Sequence, residues 1–392
     1  MNKVTDISLA EDSFISLHVQ LHNQLRQLIH SGRWPNESRI PSENELTSHL
    51  NISRSTVRLA LQQAELEGLI ERIAGKGTFV AYIPTTNHER RLIAFVTGGI
   101  DAENHLLMLS GAEQEVRTQD YQMVFNAAKN QEEELAILER VEQDNIAGVL
   151  LWPNAHSTRS NESTITRYKQ VQVPIILMDR KIPGFDCDCV TSDNYGGTMT
   201  LMRHLIELGH QRIVFLTHDI MEVFPVMERY RAYCDALEEA GLQAVEPWII
   251  GQAGTEITAS YALESSVDKK SLEIQQIKNY ILNTQPCPTV IFALNDWLAV
   301  LALRALKQLE LKVPDAISVA GFDDIDLAGH LEVPLTTVAQ NPFAIGKKAA
   351  QLLLNRLATR AADTKLEVIP TELRIRSSTS RILQEQPKGG SY

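Results

Sequence analysis

Cysteine is scarce in this sequence. The chain of 392 residues has four cysteines, at positions 187, 189, 234 and 287, and no two of them form a CxxC pair. Four thiols are too few for a disulfide framework, and their spacing matches no zinc-binding pattern. We therefore expect a cytoplasmic protein that has no metal site and no cofactor.

Long apolar runs and a basic leader are also missing. No stretch approaches the ~18 to 20 consecutive apolar residues that span a bilayer. The N-terminus carries Asp6, Glu11 and Asp12 and has no basic segment followed by an apolar one. We therefore expect neither a signal peptide nor a membrane partner.

Basic residues are outnumbered, with 37 Lys and Arg against 49 Asp and Glu and a formal net charge of −12. An acidic chain is not a general binder of polyanions, so any nucleic-acid surface must be a local patch. A hydrophobic share of 44% and a charged share of 22% are typical of globular proteins. The length exceeds that of one typical domain, so we expect two or three compact units.

The N-terminal segment predicts three helices followed by a hairpin. Leucines at helical spacing place the first helix within residues 14–31. Ser42 and Glu45 form a capping box that begins the second helix, and Ser53 can cap a third helix that ends at Gly68. The hairpin consists of Leu69–Ile73, the turn Ala74-Gly75-Lys76-Gly77, and Thr78–Val80. This order of elements is that of a winged helix-turn-helix.

The third helix has two chemically different faces. Its apolar stripe consists of Val57, Ala60, Leu61 and Ala64, and its polar side carries Arg54, Ser55, Arg58 and Gln62. Arginines of a helix that enters the major groove can read guanine O6 and N7. Residues 14–84 contain seven Lys and Arg and six Asp and Glu, a net charge of +1. Charge therefore leaves both DNA binding and an ordinary solvated helix open.

Four sequence blocks in order, PSE, SRSTVRLAL, LEGLIER and GKGTFV, resemble the DNA-binding domain of the GntR family. The resemblance extends over about 65 residues and implies a winged helix-turn-helix that binds double-stranded operator DNA. It assigns the DNA contacts to Ser42, Ser53, Arg54, Ser55, Thr56, Arg58, Gly75, Lys76 and Gly77. We place this domain at residues 12–80, followed by a linker at 81–90.

Beyond the linker, short apolar runs alternate with helical stretches. The runs are Leu92–Val96, Gln122–Phe125, Gly148–Trp152, Ile175–Met178, Ile213–Leu216, Trp248–Ile250, Val290–Ala293 and Ile317–Phe322. Alternation of this kind predicts a parallel, doubly wound α/β domain, here at residues 91–380, with a flexible tail at 381–392. Because about 300 residues is large for one such sheet, we expect two lobes.

Polar residues stand just after three of these runs, as Asp179-Arg180, Asn295-Asp296 and Asp323-Asp324. Ligands of open α/β sheets bind beyond the carboxyl ends of the strands. Carboxylates and arginine bind hydroxyls, and aromatic faces such as that of Trp152 cover a sugar ring. A sugar site is therefore one interpretation, while the alternative for Asp296 is an ordinary helix cap.

Residues 91–376 are similar to the effector domain of LacI/GalR-type repressors, which has the fold of periplasmic sugar-binding proteins. Blocks that carry the similarity include ERYRAYCDALEEAGL and PTVIFALNDWLAVLALRALKQLELKVPDAISVAGFDD. The resemblance assigns effector contacts to Asp179, Arg229 and Asp296, with Trp152, Arg180 and Asn295 as their neighbours. It also implies that Ile100–His105 lines the cleft, and that this stretch and Gly251–Ser260 set effector specificity.

Two short motifs resemble those of enzymes, but each lacks residues or spacing that the enzyme motif requires. Gly75-Lys76-Gly77-Thr78 lacks the spacing of a P-loop, and His18 and His22 lack the glutamate of a zinc protease. The sequence also has no GxSxG element. We therefore expect no enzymatic activity.

Together the two resemblances imply a homodimeric transcriptional repressor that a small sugar releases from its operator. Regulators that join these two domain types imply an arabinose-like pentose, L-arabinose or a related sugar, as the effector. Two alternatives stay open: a sugar sensor that acts mainly through a protein partner, and a regulator whose effector is not a pentose and acts as a co-repressor.

The assignment of the third helix to DNA is testable with Arg58→Ala. Because this change removes a base-reading guanidinium and nothing from the effector domain, we expect loss of operator binding with sugar-induced stabilisation kept. Fluorescence anisotropy on operator DNA and thermal melting with and without sugar measure the two effects. Unchanged DNA affinity would contradict the assignment.

Overall fold

The computed structural model describes residues 6, 7, 9, 16–30, 33–73, 76–81, 92–98, 103–154, 161–251, 267–359 and 363–382. The chain forms two compact units, residues 1–89 and 90–392. Several predictions lie outside the described residues: the wing residue Gly75, nearly all of the linker, residues 100–102 and 252–260, and the tail beyond residue 382.

The first unit is a winged helix-turn-helix, as predicted. Its elements are α1 (Leu17–His30), α2 (Glu43–Leu50), α3 (Arg54–Leu66), β1 (Ile70–Ile73) and β2 (Gly77–Val80). The strands β1 and β2 pair antiparallel as a hairpin. Ser42 makes the predicted capping box with Glu45, and Ser53 caps α3. The apolar stripe of α3 is fully buried, so its polar side faces outward.

The second unit contains two six-stranded sheets among its described residues. Their strands are β3 (Leu92–Thr97), β4 (Gln122–Ala127), β5 (Ile146–Leu151), β6 (Ile175–Met178), β7 (Asp188–Ser192), β8 (Ile213–His218), β9 (Trp248–Ile250), β10 (Val290–Ala293), β11 (Ser318–Asp323), β12 (Thr336–Ala339), β13 (Leu366–Ile369) and β14 (Glu372–Arg374). The orders are β13-β7-β6-β5-β3-β4 and β14-β12-β11-β10-β8-β9. Every described pairing in them is parallel except that of β12 with β14.

Helices cover these sheets and make two lobes. They are α4 (Glu103–Val116), α5 (Gln131–Leu138), α6 (Glu162–Gln170), α7 (Asn194–Glu207), α8 (Phe224–Glu239), α9 (Val267–Asn283), α10 (Asp296–Gln308) and α11 (Pro342–Ala358). The first lobe carries α4–α6 and α11, and the second carries α7–α10. The chain crosses between lobes after β7, after β12 and after β13. The predicted two-lobed α/β architecture is therefore confirmed.

Two glycines let α4 and α11 cross with their backbones in contact. A Cβ atom on Gly111 would lie 2.0 Å from the carbonyl oxygen of Phe343, and one on Gly346 would lie 1.9 Å from that of Met108. Backbone atoms cannot move aside as a flexible side chain can, so neither position has room for a methyl group. The two helices of the first lobe therefore pack backbone to backbone at this crossing.

We expect Gly346→Ala to lower the free energy of unfolding by about 1 to 3 kcal/mol, because overpacking must push the two helices apart. The midpoint of urea denaturation measures this loss. Ser110→Ala, on the exposed side of α4, is the matched control and should leave the midpoint nearly unchanged. An equal midpoint for both variants would contradict the close crossing.

Candidate functional site

The outward side of α3 carries the predicted DNA contacts. Arg54, Ser55 and Arg58 are exposed, and Thr56 is half-buried. The Ser53 hydroxyl accepts the Thr56 N–H at 3.1 Å and lies 2.7 Å from the Ser55 hydroxyl. The cap thus holds the first turn of α3 in a defined conformation while its side chains stay accessible.

Glu43 lies between α3 and the wing. One carboxylate oxygen is 3.4 Å from Arg58 Nη2, and the other is 3.3 Å from Arg72 Nη1. Ion pairs this exposed contribute about 0 to 1 kcal/mol each, so a phosphate can replace Glu43 at little cost. Lys76 and Gly77 lie in the wing, where Lys76 is exposed and Gly77 adopts a φ of 118° that favours glycine.

The second unit has a cavity of about 170 Å³ between its lobes. Six of the seven predicted effector-binding residues line it: His105, Trp152, Asp179, Arg180, Arg229 and Asn295. Other lining residues were not among the predicted contacts, for example His218, Asp323 and Gln340. Glu103 and Asn104 also line the cavity and belong to the stretch Ile100–His105 that was predicted to line the cleft. The structure therefore brings together side chains from both lobes at the carboxyl ends of their strands.

Arg229, on α8, is the central cation of the cavity. Its Nε donates to Asn194 Oδ1 at 2.8 Å, and its Nη1 donates to the Leu294 carbonyl at 2.7 Å. The guanidinium lies 3.6 Å from the centre of the Phe322 ring, and its Nη2 is 3.8 Å from Asp323 Oδ1. These contacts fix the plane of the guanidinium and leave one edge toward the cavity.

Asp323, at the end of β11, supplies a carboxylate opposite Arg229. Its Oδ1 accepts a hydrogen bond from Gln340 Nε2 at 2.5 Å. Burial raises its pKa to about 6, although Arg229 and Gln340 act in the opposite direction. The position directly after an apolar run pointed to Asp323 in the sequence, but the family resemblance selected Asp296 instead.

The wall from the first lobe is formed by an aromatic pair and an arginine. The ring centres of His105 and Trp152 are 4.0 Å apart, and the Arg180 guanidinium carbon is 5.7 Å from the centre of the Trp152 ring. Burial, followed by the charge of Arg180, lowers the pKa of His105 to about 3, so the imidazole is neutral. Burial also raises the pKa of Asp179, and the charges of Arg180 and Arg229 partly offset this rise.

Asp296 lies beneath the cavity and does not line it. It is fully buried, its Oδ1 accepts the Thr337 hydroxyl at 2.6 Å, and its Oδ2 accepts the Ile325 N–H at 3.0 Å. The helix cap considered for Asp296 is wrong, because Asn295 caps α10 by accepting the Leu298 N–H at 3.0 Å. Asp323, in contrast, presents its carboxylate at the cavity wall.

The raised pKa of Asp323 predicts a pH dependence of stability. The pKa of Asp323 is about 6 in the folded chain and ~3.9 in the unfolded chain. The unfolded chain therefore loses this proton more readily, so the free energy of unfolding falls as the pH rises from about 4 to about 6. Asp323→Asn has no such proton to lose. We therefore expect its free energy of unfolding, relative to that of the parent chain, to rise by about 2 to 3 kcal/mol between pH 4 and pH 7. Urea denaturation of both chains at several pH values measures this difference. A difference that does not change with pH would contradict the raised pKa.

Family comparisons match both units. Residues 17–80 match the model of bacterial regulatory proteins of the gntR family. Residues 202–379 match the model of a periplasmic binding protein-like domain. No helix in the described part of the chain has the length and apolar character that crossing a membrane requires.

Known proteins resemble the chain over nearly its whole length. The arabinose metabolism transcriptional repressor of Geobacillus stearothermophilus is 29% identical over 372 residues, 93% of this chain and 98% of that protein. A repressor of the same name from Halalkalibacterium halodurans is 27% identical, over 93% and 96% of the two chains. The solved complex of the transcriptional regulator CelR with cellobiose has a TM-score of 0.62 and 21% identity, over 83% and 91%. The chain therefore joins a DNA-binding domain of the gntR regulatory family to a periplasmic binding protein-like domain, and it is a transcriptional regulator rather than an enzyme.

Proposed function

We propose that this regulator is a homodimeric repressor that binds operator DNA through α3 and the wing and leaves it when a small sugar occupies the cavity. One observation carries the proposal: the carboxylates of Asp179 and Asp323, arginine side chains and the aromatic face of Trp152 line a single cavity between the lobes. Because its partner is DNA inside a bacterial cell, we also infer a cytoplasmic location.

The chemistry of the cavity favours a hydroxylated ligand. Asp179 and Asp323 accept hydrogen bonds from hydroxyls, and Arg229 and Asn295 can donate to hydroxyl oxygens. Trp152 offers an aromatic ring for the apolar side of a sugar. A volume of about 170 Å³ is below the ~300 to 1,000 Å³ of drug-sized sites, which favours a monosaccharide.

L-Arabinose or a related pentose is the effector that we propose to test first. The support is the similarity over most of the chain to two proteins named as repressors of arabinose metabolism. For the DNA contacts we retain Ser42, Ser53, Arg54, Ser55, Thr56, Arg58, Gly75, Lys76 and Gly77. For the effector contacts we retain His105, Trp152, Asp179, Arg180, Arg229 and Asn295 and add Asp323.

Release requires that sugar binding and DNA binding oppose each other. A sugar that touches both lobes favours their closed arrangement, and closure changes the spacing of the two DNA-binding domains in the dimer. Coupling of this kind is typically ~1 to 3 kcal/mol and is reciprocal, so DNA must weaken sugar binding by the same factor. Two recognition helices one helical turn apart, ~34 Å, would fit a pseudo-palindromic operator.

Fluorescence anisotropy of the purified chain on its own upstream DNA tests the proposal. We expect tight, salt-sensitive binding that L-arabinose or another pentose weakens by about 5- to 150-fold. A shuffled DNA of the same length is the control for specificity.

The other outcomes separate the alternatives. A compound that strengthens DNA binding would replace release with co-repression. Absence of specific DNA binding, with sugar binding intact, would favour a sensor that acts through a protein partner. Tight DNA binding that no sugar changes would keep the DNA-binding role and reject the sugar effector.

A further inference from the structure

The buried carboxylate of Asp296 holds a short segment that the cavity depends on. The Ile325 N–H donates to Oδ2 at 3.0 Å, and the Thr337 hydroxyl donates to Oδ1 at 2.6 Å. Gly321 makes room for this arrangement, because a Cβ atom there would lie 2.2 Å from Asp296 Oδ1. The carboxylate thus joins the start of α10 to the segment after β11 and to β12.

The segment that Asp296 holds has an unfavourable backbone conformation. Asp323 has a φ of 125° and Asp324 a φ of 57°, both in the region that favours glycine. Residues in this conformation are strained and persist only where surrounding contacts hold them. The Ile325 N–H is the first backbone donor after these two residues, so its bond to Asp296 helps to hold the turn. An ion pair of 2.7 Å between Arg376 Nη2 and Asp324 Oδ1 also holds it.

The same segment faces the cavity and reaches the other lobe. Asp323 and Ile325 line the cavity. The next residue, Asp326, donates its backbone N–H to Glu103 Oε2 of α4 at 3.1 Å. Asp296 therefore anchors the four-residue segment 323–326, which supplies both part of the cavity wall and a hydrogen bond between the lobes.

We propose that Asp296 is a positioning residue for effector binding, which holds the segment 323–326 in the conformation that presents Asp323 to the ligand and Asp326 to the opposite lobe. The proposal rests on the sugar-responsive function above. It replaces the direct contact between Asp296 and the effector that the family resemblance assigned. In this role the residue acts through its two hydrogen bonds and its charge is not needed.

Asp296→Ala and Asp296→Asn distinguish positioning from contact. The alanine removes both hydrogen bonds, so we expect the affinity for L-arabinose, measured by calorimetry on the full chain, to fall by about tenfold or more. Asp296→Asn keeps both hydrogen bonds, because the new side-chain oxygen can accept the Ile325 N–H and the new NH₂ group can donate to the Thr337 hydroxyl. It should therefore bind the sugar within about threefold of the parent chain.

Two further variants separate positioning from general loss of stability. Gly321→Ala displaces the carboxylate without removing it and should also weaken sugar binding, which tests the proposal even if Asp296→Ala does not fold. Asp188→Ala is the matched control, because Asp188 is a buried carboxylate held by Arg356 at 2.6 Å and is not among the cavity-lining residues. It should lower the melting temperature and leave sugar affinity unchanged.

Three results would overturn the inference. Equal losses in Asp296→Asn and Asp296→Ala would mean that the effector needs the carboxylate itself. Unchanged affinity in both Asp296→Ala and Gly321→Ala would mean that the other contacts of the segment hold it without Asp296. If the parent chain bound none of L-arabinose, D-ribose and D-xylose, both the proposal of a pentose effector and this inference would be wrong. The first two results, in contrast, would leave the proposed function intact.

Discussion

The burial of one guanidinium, that of Arg229, organises the second lobe around the cavity. A buried cation is tolerated only when its donors are used and opposite charge is near. Arg229 meets this requirement with Asn194 in the first turn of α7, the Leu294 carbonyl after β10, and Asp323 at the end of β11. Asn194 lies where the chain enters the second lobe after β7. The Arg229 side chain therefore links the cavity to one of the segments that connect the lobes.

Backbone conformation at the strand ends completes this arrangement. Asp179 has a φ of 65°, and the Arg180 N–H bonds to the Met178 carbonyl around it, which turns the chain sharply after β6. Asp323 and Asp324 make the corresponding turn at the end of β11. Strained residues of this kind concentrate at binding sites, where the rest of the fold keeps side chains facing a ligand. Here both turns carry carboxylates whose pKa burial raises, so a ligand that donates hydrogen bonds would relieve part of the desolvation.

The charged groups of the two units differ in their exposure: those on α3 are exposed to solvent, and those in the cavity are shielded from it. The chain as a whole is acidic, yet the outward side of α3 has no acidic residue before Glu65, so an arginine face is available for DNA. Glu43 moderates that face by pairing with Arg58 and Arg72. In the cavity the charges are buried and paired, so their geometry and not their net sum decides what can bind.

The sequence by itself determined the winged helix-turn-helix and the α/β character of the rest. Caps at Ser42 and Ser53 and the apolar stripe of α3 are local signals, and runs such as Ile175–Met178 are buried on both faces of a parallel sheet, so their pattern is continuous. The strands β7, β12, β13 and β14 were missed, because their residues mix polar and apolar types and their pairing depends on distant chain segments. Only the tertiary structure decided between Asp296 and Asp323. Both follow apolar strands in the sequence, but the packing of α10 against Gly321 turns one carboxylate inward, and the turn after β11 directs the other into the cavity.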